Sequence, residues 1–135
     1  MKYILLVLTI VFFSACYRNE ECKPFYIGRF KIDTSLISYP KCLELVKSNN
    51  WDTVNLISRE NGVYYFETND RRLKECEGKW RVASANLDGE CIGYVKQNNL
   101  MGEVSVPPFY IAIKIDRESY SLPFKKVGNI NRKSY

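Results

Sequence analysis

The sequence predicts a mostly β fold: an antiparallel, hairpin-built curved sheet or small barrel, with one short helix and two disulfides as staples. Three observations predict it. Short stretches from Phe25 onward alternate apolar and polar residues with the period of a half-buried strand. Pairs of such stretches flank Asn61-Gly62 and Asp88-Gly89, dipeptides that tolerate the positive φ of tight hairpin turns. Cys22, Cys42, Cys76 and Cys91 follow a leader that reads as an export signal, and an even number of cysteines in that setting reads as a disulfide framework.

The elements follow in order. FYIGRFKID, residues 25–33, is aromatic and β-branched and reads as a strand with Tyr26, Phe30 and Ile32 on one face. Gly28 within it marks a bulge or a close approach by another side chain. Pro40 opens a short helix in which Cys42, Leu45 and Val46 share a face, and Asn49-Asn50 end it. TVNLISRE and VYYFETN flank Asn61-Gly62, which predicts a two-residue type I′ turn. GKWRVASAN and ECIGYVKQ make a second hairpin across Asp88-Gly89. NNLMGEVSVPP reads as a loop, because Pro107-Pro108 inside a sheet would forfeit ladder bonds. The last hairpin is FYIAIKI, a DRES connection, and YSLPF. There Phe109, Ile111, Ile113 and Ile115 alternate inward and are answered by Tyr120, Leu122 and Phe124, while Pro123 suits an edge. KKVGNINRKSY is basic and has no apolar period. The total is roughly six to eight strands in one domain.

The first residues are of another kind. Lys2 precedes an apolar run, Tyr3 to Phe13, broken only by Thr9. That is short of the ~20 apolar residues a spanning helix needs. A basic residue, a short apolar core and then Ser14-Ala15 form the pattern of a secretory signal peptide, residues 1–15. Phe13-Ser14-Ala15-Cys16 resembles the bacterial lipobox, with Phe where Leu is usual. The resemblance implies cleavage before Cys16, a diacylglycerol on its thiol with palmitate-type acyl chains, and anchorage to a membrane of the cell envelope, the outer one expected. Each buried methylene contributes about 0.8 kcal/mol, so two or more chains hold firmly where one does not. Residues 16–24 are then the lipidated N-terminus and a polar tether, 25–126 a single β-rich domain, and 127–135 a basic tail.

At 46% hydrophobic and 14% aromatic the composition is that of a folded body. The formal net charge of +5, one less once Lys2 is removed, is mildly basic and dictates no partner; no nucleic acid is expected. ECKPFYIGRFKI behind a lipobox resembles the start of small, uncharacterised lipoproteins of Bacteroidetes-type bacteria. The shared places are Cys22 with Phe25, Gly28 with Phe30, then Trp80 and the strand from Glu90-Cys91, where the aromatic Tyr94 comes two residues later than in that pattern. Residues 34–60 match nothing in it. On loop closure alone, which favours short loops, the pairing would be sequential, Cys22–Cys42 and Cys76–Cys91. The resemblance implies a different one: Cys22–Cys91, with Cys42–Cys76 nested inside. Each bridge would constrain the unfolded chain by about 3 kcal/mol.

Chemistry is harder to find. With no histidine, Ser-His-Asp and Cys-His arrangements are excluded. No C-x-x-C spacing suggests zinc, and neither metal nor cofactor is expected. The carboxylate pairs Glu75/Glu77, Asp88/Glu90 and Asp116/Glu118 are the material for a hydrolase, although Asp88 and Asp116 fall in turns where Asp is common for backbone reasons. Tyr64-Tyr65-Phe66 are consecutive, so at least one must leave the core face, and they form the candidate binding surface. Aromatics of a small β domain more often fill its core. The expectation is a non-catalytic binding or inhibitor/immunity-type lipoprotein with a protein partner in the envelope. An envelope hydrolase and a purely structural component are the alternatives.

Overall fold

In the computed structural model residues 22, 24–85, 91–97, 100–105 and 109–130 are described. Cys16, the leader, the Asp88-Gly89 turn, Pro107-Pro108 and residues 131–135 lie outside them. The strands are β1 Gly28–Ile32, β2 Asn55–Ser58, β3 Val63–Glu67, β4 Gly78–Ala85, β5 Cys91–Gln97, β6 Leu100–Ser105, β7 Phe109–Ile115 and β8 Glu118–Gly128. All pair antiparallel in one eight-stranded sheet of order β6-β5-β4-β3-β2-β1-β8-β7. This is the order of an up-and-down barrel with its seam between β6 and β7. Those two ends approach within 8 Å between Cα atoms, so the sheet curls almost closed.

Phe30, Ile32, Leu56, Tyr64, Phe66, Ile111, Ile113, Leu122 and Phe124 fill the interior, each on the inward beat of its strand. Burying one such side chain stabilises by roughly 1.5–3 kcal/mol. The link from β1 to β2 crosses one end of the barrel. It carries a 3₁₀ turn at Thr34–Leu36, helix α1 (Pro40–Ser48) and a second 3₁₀ turn at Trp51–Thr53. Proline at the first helical position costs no hydrogen bond, and Asn50, left-handed at φ 53°, ends the segment. Cys42, Val46 and Trp51 drop from it into the core, closing that end.

The opposite end is closed by the chain that enters β1. Cys22 is bridged to Cys91 with a Cα–Cα distance of 5.5 Å. Tyr26 stacks on Trp80 at 5.4 Å between ring centroids and donates its hydroxyl to the Cys91 carbonyl at 2.9 Å. Burial pushes the Tyr26 phenol up to about 12. Lys126 Nζ donates to the Pro24 carbonyl at 2.8 Å, and its side chain crosses the face of Gly28. A Cβ at Gly28, where φ is +142°, would meet Lys126 Cε at 2.6 Å, and the β1–β8 register slips just beyond, at Arg29/Phe30. The glycine marks both the bulge and the close approach.

Several expectations need correction. One disulfide forms, not two: Cys42 and Cys76 remain thiols, both buried, with Cys76 Sγ donating to the Arg72 carbonyl at 3.1 Å. Each serves as a small apolar packing group. The sequential pairing Cys22–Cys42 and Cys76–Cys91 fails because it weighed loop length alone. The barrel brings Cys22 and Cys91 together across 69 residues of sequence. The Asn61-Gly62 hairpin is real, but its loop is 60–62, with Gly62 alone at positive φ (80°) and Arg59 N bonded to Val63 O at 2.9 Å. That is a type I turn closed by a left-handed glycine, not a type I′ turn.

The stretch read as a loop before Pro107 contains β6, Leu100–Ser105, which pairs along β5. Its Gly and Glu are poor strand formers, and the waiting β5 ladder outweighs them. Finally, β8 has partners on both sides and runs on to Gly128, two residues past the expected end of the domain. Pro123 is tolerated there because its backbone faces the side where β1 has just ended, and its carbonyl accepts from Asp33 N at 2.9 Å. The DRES connection also tightens to Asp116-Arg117, both at positive φ.

Candidate functional site

The surface expected at Tyr64-Tyr65-Phe66 does not exist as a unit. Tyr64 is 1% and Phe66 4% exposed, both facing the barrel core. Only Tyr65 turns outward, where Arg59 lies over its ring at 5.2 Å and donates to its hydroxyl at 3.1 Å. Trp51 is buried in the core, and Trp80 is half-buried beneath Tyr26. Of the carboxylates, exposed Glu75 is paired with Arg71 at 2.6 Å, and Glu77 is exposed. Asp88 and Glu90 lie outside the described residues, as does Cys16. Asp116 sits in its turn at φ 48°.

A different place gathers functional groups. Between the 36–42 stretch of the crossover and the upper half of the β7–β8 hairpin lies an open groove of about 620 Å³. Among the described residues, the large apolar side chains left most exposed are Leu36 (45%), Tyr39 (61%), Tyr110 (42%), Phe25 and Val127. The first three all line this groove. Tyr39 stands outside because it precedes Pro40 on extended backbone, just before the helix turns its apolar face inward. Tyr110 is outside because Ile111, Ile113 and Ile115 take the inward beat of β7.

The polar part of the groove is a three-residue cluster. Lys41 Nζ lies 2.7 Å from Glu118 Oε2, and the Tyr120 hydroxyl donates to the same oxygen at 2.5 Å. Lys41, followed by Tyr120, holds the Glu118 carboxyl below the usual carboxylate range, and Glu118 in turn raises both partners. The cluster is therefore a carboxylate, an ammonium and a phenol at neutral pH. An acid catalyst needs a carboxyl held protonated, and Glu118 is pushed the other way.

The groove and the tether occupy opposite ends. β1 carries the chain from the Cys22–Cys91 end to the end where residues 33–53 cross, and Ile32 pairs Phe124 just below the groove. Among the described residues no group of three or more His, Cys, Asp or Glu is placed to hold a metal ion, and no helix is long and apolar enough to cross a membrane. Of the groove residues, the sequence singles out Glu118 as a carboxylate, Cys42 as a bridging cysteine and Tyr120 as a core residue, none of them as part of this site. Nothing in the sequence links 36–42 to 118–121; the one hint was Tyr39 and Tyr110 falling off the inward period. Comparison of the chain with family models, with curated proteins and with solved structures gave no match.

Proposed function

We propose that this chain is a lipoprotein of a bacterial cell envelope, anchored through lipid on Cys16, that acts without catalysis by binding a protein partner in the groove above Tyr120. An inhibitor or immunity-type role is the concrete form of this reading. The observation that carries it is the groove: the exposed aromatics Tyr39 and Tyr110 flank a neutralised Lys41–Glu118–Tyr120 cluster. Apolar walls with a few converging polar groups are the usual composition of a recognition site. The position of the tether supports the reading. Cys16 is six residues before Cys22, so the clamped end of the barrel stays within roughly 20 Å of the lipid. The groove, at the far end, then faces away from the membrane toward other envelope proteins.

The test is photo-crosslinking in the native cells, with benzoylphenylalanine placed singly at Tyr39, at Tyr110 and at Lys79 on the outer face of β4. Protein adducts of one mass at positions 39 and 110, and none at 79, are the expected outcome. Adducts absent from the groove positions, or equal at all three, would refute the reading.

A further inference from the structure

The groove has a backbone side as well as a side-chain side. β8 spans eleven residues, Glu118–Gly128. β7 pairs it from Glu118 to Phe124, whereas β1 pairs it only from Phe124 to Gly128. The upper part of β8 therefore has one neighbour, inside a sheet where the strand is otherwise flanked on both sides. This is a notch in the sheet, and the groove occupies it.

Which polar groups face the notch follows from one bond. Asp33 N donates to Pro123 O at 2.9 Å, so the backbone of residue 123 points to the β1 side. In an antiparallel strand the polar groups of alternate residues point the same way, so those of Ser119 and Ser121 point there too. Above Asp33, β1 has ended, and among the described residues no backbone group bonds to them on that side. Both serines are exposed and line the groove. The far wall, Ile37 to Tyr39, is itself extended, with φ/ψ of −86°/103° at Ile37 and −88°/113° at Tyr39.

We infer that the notch takes an extended peptide segment of the partner as an added strand, hydrogen-bonded to the backbone of Ser119 and Ser121. This rests on the reading of the groove as a protein-binding site and names its mode. Main-chain bonds supply the pairing, and pockets for alternate side chains supply selectivity. Successive side chains of the segment fall by turns on the outer face of the sheet, beside Ser119 and Ser121 with Tyr110 across β8, and beside Tyr120, Glu118 and Lys41 at the barrel mouth. The segment it prefers therefore alternates an apolar residue with a polar one able to hydrogen-bond the Lys41–Glu118 pair.

The natural Pro123 supplies the tool. It shows that β8 accepts proline at the beat whose N–H faces β1, since no β7 bond is lost. Ser121→Pro occupies the same beat, so it should fold while removing one donor and blocking the notch. Ser121→Ala keeps the backbone. A displayed library of random linear heptapeptides is selected against the full chain, and the enriched peptide is titrated against wild type and both variants by fluorescence anisotropy. The expected result is a loss of about tenfold for Ser121→Pro, one main-chain hydrogen bond removed and the notch blocked by the ring, and a change within about threefold for Ser121→Ala. Hydrogen exchange at the Ser119 and Ser121 amides should slow when peptide is bound. Near-UV circular dichroism and a urea midpoint within 0.5 M of wild type, roughly the scatter of surface substitutions, certify the fold of Ser121→Pro. Equal binding to Ser121→Pro, unchanged exchange at both amides, or a library that yields no binder overturns the added strand. So does a saccharide that binds the groove where no peptide does. A Tyr39 crosslink in cells that survives Ser121→Pro overturns the strand but leaves the site standing, so the two failures are told apart.

Discussion

Asp70 should be the most consequential surface carboxylate of the fold. It caps helix α2 (Arg71–Lys74), accepting Arg72 N on Oδ1 at 3.0 Å. The Arg72 guanidinium grips both of its oxygens, at 3.1 and 2.8 Å, and lies over Trp51 at 5.0 Å. The Trp51 indole donates to Oδ2 at 2.8 Å, and Arg72 reaches on to Asn49 at 2.6 Å. One carboxylate thus ties a four-residue helix, too short to stand alone, to the crossover that closes the barrel. Arg72 first, then the Trp51 indole, lowers the Asp70 carboxyl from 3.8 to about 2. A drop of that size corresponds to at most about 2.4 kcal/mol. Because Arg72 is 45% exposed, solvent screening reduces it to roughly 1–2 kcal/mol.

In Asp70→Asn the amide must either lose the cap or point its N–H₂ at two donors, which adds about 1 kcal/mol for the stranded indole. The variant should therefore be about 2–3 kcal/mol less stable at pH 7. With a urea slope of about 1.2 kcal/mol/M that is a midpoint lower by about 2 M, read by tryptophan fluorescence. The sign of the pH dependence follows from the lowered pKa. Asp70 stabilises fully above the unfolded value of 3.8, and that contribution is lost as pH falls toward about 2. The gap between wild type and variant should stay flat from pH 7 to 5 and shrink by about 1–2 kcal/mol between pH 4 and 2. A gap below about 0.5 kcal/mol at pH 7, the scatter of ordinary surface substitutions, or one that ignores pH, would refute this reasoning.

Three further outcomes are expected. Gly93→Ala should cost about 1–3 kcal/mol, because the new Cβ would lie 3.0 Å from the Tyr26 ring; calorimetry of the unreduced protein checks it. Tyr26→Phe should lose only about 1 kcal/mol with the bond to Cys91 O, whereas Tyr26→Ala should lose about 3–5 kcal/mol with the stack on Trp80, both measured by urea denaturation. Cys42 and Cys76 are buried, and burial raises the Cys42 thiol, so native protein should resist iodoacetamide, while unfolded, unreduced protein should label at both; peptide mass mapping reads the difference.

Most of the barrel was legible in the sequence wherever one face is buried. β7 and β8 announce themselves through Ile111, Ile113, Leu122 and Phe124, because burial on one side imposes a period of two. α1 announces itself through Pro40 and the Cys42–Val46 face. What escaped was set by neighbours rather than by local pattern. β6 has Val104 as its one strong strand former, set among Gly102 and Glu103, and exists through its ladder to β5. The loop 60–62 differs from a type I′ turn by one residue, which the dipeptide Asn61-Gly62 does not encode. Tyr64 and Tyr65 look alike in sequence, and only the register Tyr64↔Ser58 and Tyr65↔Ile57 decides which is buried. The groove escaped for the same reason, being built from segments that lie 77 residues apart at the Lys41–Glu118 pair and are brought together where β1 ends.

The most direct single measurement is the intact mass of the protein made with its own leader in a lipidating bacterial host, before and after reduction. The expected mass is that of Cys16–Tyr135 plus acyl groups, gaining two hydrogens on reduction for the one bridge Cys22–Cys91. A mass without lipid would remove the anchor on which the envelope reading depends. A gain of four hydrogens would mean that Cys42 and Cys76 are bridged after all, and that the packing of α1 against the barrel end is not as described.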